Sequence, residues 1–118
     1  MLSIKKIRTY CGSKKGVSED FPFDFETLVI RVGEKIFLLA NIAEKPLCIN
    51  LKCDPFRSIE LRGRYEQITP GYHMNKKHWN TLCIDGVIPD HEVLELIDHS
   101  YDLVLKGMKK AERDVLLE

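Results

Sequence analysis

The chain has 118 residues, 44% of them hydrophobic and 31% charged, and its 18 Lys and Arg are balanced by 18 Asp and Glu. Such a size and composition fit one ordinary folded domain and exclude a disordered or low-complexity chain. The zero net charge excludes a strongly electropositive nucleic-acid binder, so any such role has to rest on a local patch.

Leu2, Ile4, Ile7 and Cys11 stand near helical spacing with Lys5, Lys6 and Arg8 between them. That pattern predicts a short amphipathic helix, stopped by Gly12. Residues 12–16 read as a loop, so that residues 1–16 carry five basic groups and no acid. Residues 19–24 are acidic, aromatic and turn-like. The period then changes to two: Leu28, Ile30 and Val32 alternate with Val29 and Arg31, a half-buried strand. Gly33-Glu34 turns the chain into a second strand over residues 35–43, with Ile36, Leu38, Ala40 and Ile42 on one side. Pro46 opens a third strand, in which Leu47, Ile49 and Leu51 alternate with Cys48, Asn50 and Lys52.

Asp54-Pro55 supplies an N-cap and a first-turn proline, so a helix is expected to run to about Tyr65, weakened by Gly63. Thr69-Pro70-Gly71 reads as a turn, followed by short extended pieces at 72–74 and Trp79–Ile84. From Pro89-Asp90 a longer helix reaches about Lys106 on an apolar stripe of Val93, Ile97, Tyr101 and Val104. Its acids gather toward the start and Lys106, Lys109 and Lys110 follow its end, which suits the helix dipole. Residues 109–118 read as a tail that frays.

The order α-β-β-β-α-β-β-α predicts an α+β fold over residues 1–108. It is a two-layer α/β sandwich with a mainly antiparallel sheet and the helices on one face. Cys11, Cys48, Cys53 and Cys83 are scattered without a C-x-x-C pair. With no secretory pattern at the amino end, reduced thiols in a cytoplasmic protein are expected. No apolar run approaches the roughly 20 residues that span a bilayer, so no membrane partner is expected.

Strand alternation has a consequence for function. If Leu28, Ile30, Val32, Ile36, Leu38, Ala40, Ile42, Leu47, Ile49, Leu51, Leu82 and Ile84 face the helices, the opposite parity faces out. That outer set holds Val29, Arg31, Phe37, Leu39, Asn41, Cys48, Asn50, Lys52, Trp79, Thr81 and Cys83. It is too apolar to leave in water and too polar to bury unpaired. Such a mixture reads as an interface, or else as a face that the carboxyl-terminal tail or a loop covers.

The densest run of hydrogen-bonding and stacking side chains is Gly71-Tyr72-His73-Met74-Asn75-Lys76-Lys77-His78-Trp79-Asn80-Thr81. Together with Phe21-Pro22-Phe23, Thr27-Leu28-Val29-Ile30-Arg31-Val32-Gly33, Ile49-Asn50-Leu51-Lys52-Cys53-Asp54-Pro55 and Ile97-Asp98-His99-Ser100-Tyr101, it resembles the MmcQ/YjbR family of small bacterial proteins. The likeness covers about residues 2–106. Where the family usually has Leu-Pro-Gly after its first helix, this chain has Lys14-Lys15-Gly16. The resemblance implies a two-layer α/β fold similar to secretion chaperones and frataxin-like proteins. It also implies DNA binding through a double wing of hairpins, here those turning at Gly33-Glu34 and around residues 75–78.

Candidate nucleic-acid contacts are Arg31, Asn50, Lys52, His73, Asn75, Lys76, Lys77, His78, Trp79 and Asn80. Trp79 would be a stacking platform, and the Asn side chains would reach phosphates or base edges. Contact with a few phosphates predicts weak, salt-sensitive binding with a log-log slope of about −3 to −4. The alternative is a homodimer or protein adaptor using the open sheet face, with aromatic anchors and a polar rim. His73 with His78, or His91, Glu95 and His99, do not match compact zinc spacing. Cys83 with a nearby His lacks any catalytic motif around it. No cofactor, metal or enzymatic activity is expected.

Overall fold

The computed structural model describes residues 1–71 and 75–118. The extended piece expected at 72–74, and His73 with it, lie outside the described residues. Helix α1 spans Ile4–Gly12, begun by Ser3, whose hydroxyl accepts the Lys6 N–H at 3.2 Å. Four strands follow: β1 Val17–Asp20, β2 Thr27–Val32, β3 Lys35–Asn41 and β4 Leu47–Lys52. Then come α2 Pro55–Arg64, β5 Ile68–Pro70, β6 Trp79–Ile84, α3 Asp90–Lys106 and α4 Lys110–Leu116.

The strands form one antiparallel sheet in the order β1-β2-β3-β4-β6-β5. Ile7 and Cys11 of α1, Leu61 of α2 and Val93, Leu96, Ile97 and Val104 of α3 share one apolar core with the inward parity of the sheet. The two-layer α+β fold is therefore the one the alternation implies, with both edges extended by strands that sequence reasoning read as turns. Ser18, Glu19 and Asp20 are too polar to announce a strand; they become one because Val17–Asp20 has β2 to pair with. Pro70 is tolerated because β5 is an edge strand.

The larger departure lies inside the sheet. Ile30 pairs with Leu38, but Arg31 pairs with Ile36, so Phe37 is an extra residue on β3. This β-bulge flips the parity of one residue pair. Phe37, expected on the outer face, is fully buried in the core with its ring edge-on to Tyr101 at 5.5 Å. Ile36, expected inside, lies half-buried on the other side. The bulge interrupts the ladder between β3 and β4, which ends at Leu38 and Leu51. Ser100 of α3 fills the break: its hydroxyl donates to the Phe37 carbonyl at 2.6 Å and accepts the Lys52 N–H at 2.9 Å. A buried helix hydroxyl thus replaces a missing strand-to-strand bond.

The carboxyl-terminal residues form α4, and Leu116 packs over the turns at Gly16 and Gly33. Both glycines have positive φ, 74° and 60°, and a Cβ on either would approach the Leu116 methyls to 2.8 and 3.0 Å. Lys14 bonds Asp98 at 2.5 Å and lies over the Tyr10 and Tyr101 rings at 5.0 and 5.1 Å. Its charge is engaged within the fold. The same Asp98 carboxylate accepts the Tyr10 hydroxyl and pushes that phenol up to about 12.

The expectation of reduced thiols fails at two of the four cysteines. Cys48 and Cys83 form a disulfide, while Cys11 and Cys53 are free and buried. The two bonded residues are 35 apart in sequence, yet they are direct partners across β4 and β6. Register, invisible in the spacing, brings them together.

His99 ties α3 to the start of α2. Its Nε2 accepts the Asp54 N–H at 3.1 Å, while the Asp54 carboxylate accepts the Arg57 N–H at 3.0 Å. An accepting Nε2 requires neutral imidazole. Burial, then nearby Arg57, lowers the His99 pKa from 6.5, against opposing pulls from Asp54 and Asp102. Because the folded value is depressed, its stabilising contribution is complete above 6.5 and is lost as pH falls through the folded value. The urea midpoint of the native chain is expected to fall more between about pH 7.5 and about pH 5.5 than that of His99→Gln, which cannot titrate. Equal losses in the two proteins would refute the assignment.

Candidate interaction surface

The face of the sheet opposite the helices is built from register. Val29 pairs with Leu39, Thr27 with Asn41, Arg31 with Ile36, Leu39 with Asn50, Asn50 with Thr81, and Lys52 with Trp79. Down its middle runs a groove of ≈ 600 Å³ whose lining includes Phe23, Leu39, Asn41, Cys48, Asn50 and Thr81. The Thr81 hydroxyl donates to Asn50 Oδ1 at 2.6 Å, which fixes the carboxamide in the groove wall. Phe23, from the connection between β1 and β2, lines the same groove, so a loop covers part of this face. The carboxyl-terminal helix does not line it. Phe25 beside it is 95% exposed and Phe23 is 69% exposed.

The conspicuous polar run divides into scaffold and surface. Asn75 heads a turn: its carbonyl accepts the His78 and Trp79 N–H groups at 3.1 and 2.9 Å, and its Oδ1 accepts the Lys77 N–H at 2.9 Å. Asn80 points the other way, 1% exposed, donating to Ser58 Oγ at 3.1 Å and accepting from Arg62 Nε at 2.8 Å. Arg62 then reaches the Lys76 carbonyl at 2.6 Å and the Trp79 carbonyl at 3.3 Å. Gly71 donates to the Trp79 carbonyl at 2.8 Å, so close that a Cβ there would meet the Trp79 Cβ at 2.9 Å. Asn75 and Asn80 therefore hold the turn in shape. Lys76 and Lys77 are exposed at its tip, and His78 is half-buried, its carbonyl accepting the Cys53 N–H at 2.7 Å.

Trp79 and Lys52 keep the expected outward parity, side by side on adjacent strands. With Lys35 and Ile36 they line a small hollow that Val104 and Gly107 close from the end of α3. Arg31 is on the open face but paired with Asp20. Sequence reasoning missed Arg62, Ser58 and Ser100. Nothing in the local pattern of α2 sets Arg62 apart from the other charges of that helix. Ser100 carried a signal, a small hydroxyl at the buried spacing of Ile97 and Val93 on α3.

The open face is electrically polar along the strands. At the end where β2 begins and β3 finishes stand Asp24, Glu26, Glu44 and Asp85, with Lys45 the exception. The Asp24 carboxylate accepts the N–H groups of Glu26 and Thr27, which lowers its pKa and keeps it ionised. At the opposite end stand Arg31, Lys52, Lys76 and Lys77, with Glu34 the exception, while Lys35 pairs with the core residue Val32 and so belongs to the helix side. Among the described residues no three His, Cys, Asp or Glu side chains gather as a metal-binding group, and the disulfide removes Cys83 as a thiolate. No described helix is long and apolar enough to cross a membrane.

Fold and surface together define a small α+β domain with one helix-covered sheet face and one that the helices leave open. The chain belongs to the YjbR family, whose family model matches residues 12–103. The solved structure of Deinococcus radiodurans protein DR2400 superposes with a TM-score of 0.93 at 43% identity, covering 98% of this chain and 88% of that one. Among curated relatives, Escherichia coli O157:H7 YbdF is 39% identical over 79% of this chain and 76% of its own length. Bacillus subtilis YyaQ is 32% identical over 87% of this chain and 98% of its own. The printed names of both relatives describe them as uncharacterized proteins.

Proposed function

We propose that this chain is a protein-interaction module that works through its open sheet face, without catalysis. The carrying observation is the groove between Phe23, Leu39 and Thr81 on a face that the helices leave bare. Exposed apolar surface of this kind is what recognition surfaces use, and Phe23, Phe25 and Trp79 supply rigid aromatic anchors. Asn41, Asn50 and Thr81 give the groove fixed polar points that select among partners. A photo-reactive phenylalanine analogue placed at Leu39 is expected to cross-link to protein inside cells, and the same analogue at exposed Glu95 of α3 is not. Absence of adducts at position 39, or equal yields at both, would overturn the reading.

A second reading is favoured by the basic end of the same face. Lys52, Lys76 and Lys77 gather there, and among the described residues no ion pair engages them. Such a cluster fits a few phosphates of a nucleic acid. Duplex DNA anisotropy at two salt concentrations tests it. Lys76→Glu with Lys77→Glu should abolish a salt-sensitive signal, and no signal at tens of micromolar protein would remove the reading.

A further inference from the structure

The occupant of the open face can be argued from its charge. Two sheets packed face to face with their strands aligned, by a twofold axis lying between them, admit two arrangements, the axis running either along the strands or across them. An axis along the strands superposes like ends, setting Glu44 and Asp24 against acids and Lys52 and Lys77 against lysines. An axis across the strands reverses each strand over its own copy and brings opposite ends together. Then β2 lies on β2, so Asp24 and Glu26 meet Arg31. The turn after β3 lies over the start of β3 and the finish of β4, so Glu44 meets Lys52. The end of β6 lies over its beginning, so Asp85 meets Lys76 and Lys77. Each acid has a basic counterpart on the same strand or its neighbour.

We propose that a second copy of this chain occupies the open sheet face, antiparallel, with its acidic end on the basic end of the first. The inference rests on the reading of that face as an interaction surface. It also accounts for the apolar residues not fully covered. Half-buried Leu39 lies in the middle of the face and half-buried Ile36 beside Arg31 at its basic end, while exposed Phe23 and Phe25 stand at its acidic end, over the second copy's Arg31 and Ile36. Isologous contact of this kind buries both grooves at once, and the reversed charges fix register while disfavouring the other axis.

Sedimentation velocity over a concentration series tests it, using the full chain at moderate salt. The native protein should be a dimer. Glu44→Lys alone gives like charges at both ends of the interface, as does Lys52→Glu, and each should lower the association constant by about tenfold or more. Mixed in equal amounts, the two variants regain attraction at both ends. At one end the introduced lysine faces the introduced glutamate, and at the other the native Glu44 faces the native Lys52, so dimer should return. Circular dichroism of each variant alone checks that it is folded. A native protein that stays monomeric to millimolar concentration overturns the proposal. So does a dimer indifferent to both charge changes, or a mixture that fails to recover. Cross-links from Leu39 to a different protein, with the chain itself monomeric, would sink this inference and leave the interaction reading standing; no cross-link would sink both.

Discussion

Replacing Ser100 with Ala is expected to lower the unfolding free energy by about 2–6 kcal/mol, far more than a serine usually carries. Its one hydroxyl serves two backbone groups, donating to Phe37 O at 2.6 Å and accepting from Lys52 N at 2.9 Å. Ser100 is fully buried, so water cannot take over either role without opening α3 from the sheet. Two orphaned backbone groups cost about 1–3 kcal/mol each, which sets the range. Ser100→Cys keeps a weak donor of similar size and should fall between the two. Urea unfolding supplies the free energies, and amide exchange supplies the location: the Lys52 N–H should lose protection selectively. An Ala variant within about 0.5 kcal/mol of the native protein would show that the bulge does not need its bridge.

Arg62→Met is expected to cost about 2–3 kcal/mol, for a related reason in a different place. The guanidinium joins α2 to the turn before β6 by bonding Asn80 Oδ1 and the carbonyls of Lys76 and Trp79. Methionine fills the stem's space but leaves the buried Asn80 oxygen without its donor. Arg62→Lys should recover only part of the loss, since an ammonium cannot span three acceptors in the plane the guanidinium does. Trp79 fluorescence and exchange of the Lys77 amide report the turn separately from global unfolding. A Lys variant as stable as native, or a Met variant without change at Trp79, would refute the role.

These two effects share a feature with the sheet bulge and the disulfide: each joins residues far apart in the chain. Ser100 acts on Phe37 and Lys52, Arg62 on Asn80, and Cys48 on Cys83. Local pattern carries no information about such pairs. The candidate surface was partly legible for the opposite reason. Trp79, Lys52, Asn50 and Thr81 sit where plain alternation puts them, since β4 and β6 pair without a break. Phe37 and Ile36 exchanged faces because one inserted residue reverses the sense of every step counted across it. Asn80 looked like a ligand-binding carboxamide, but its place in the alternation of β6 turns it toward α2, where Ser58 and Arg62 satisfy it.

By itself, then, the amino-acid order determined what depends on neighbours a few positions away. The apolar periods of α1 and α3, the Asp54 cap of α2 and the alternation of β2, β4 and β6 are of this kind, and together they dictate a sheet with helices on one side. The turn headed by Asn75 belongs there too, since its bonds close within five residues. Tertiary structure alone decided which polar side chains are scaffold and which stay exposed at the surface. A buried hydrogen bond or a strand register is set by the group that arrives from elsewhere in the chain, and that arrival is an outcome of packing.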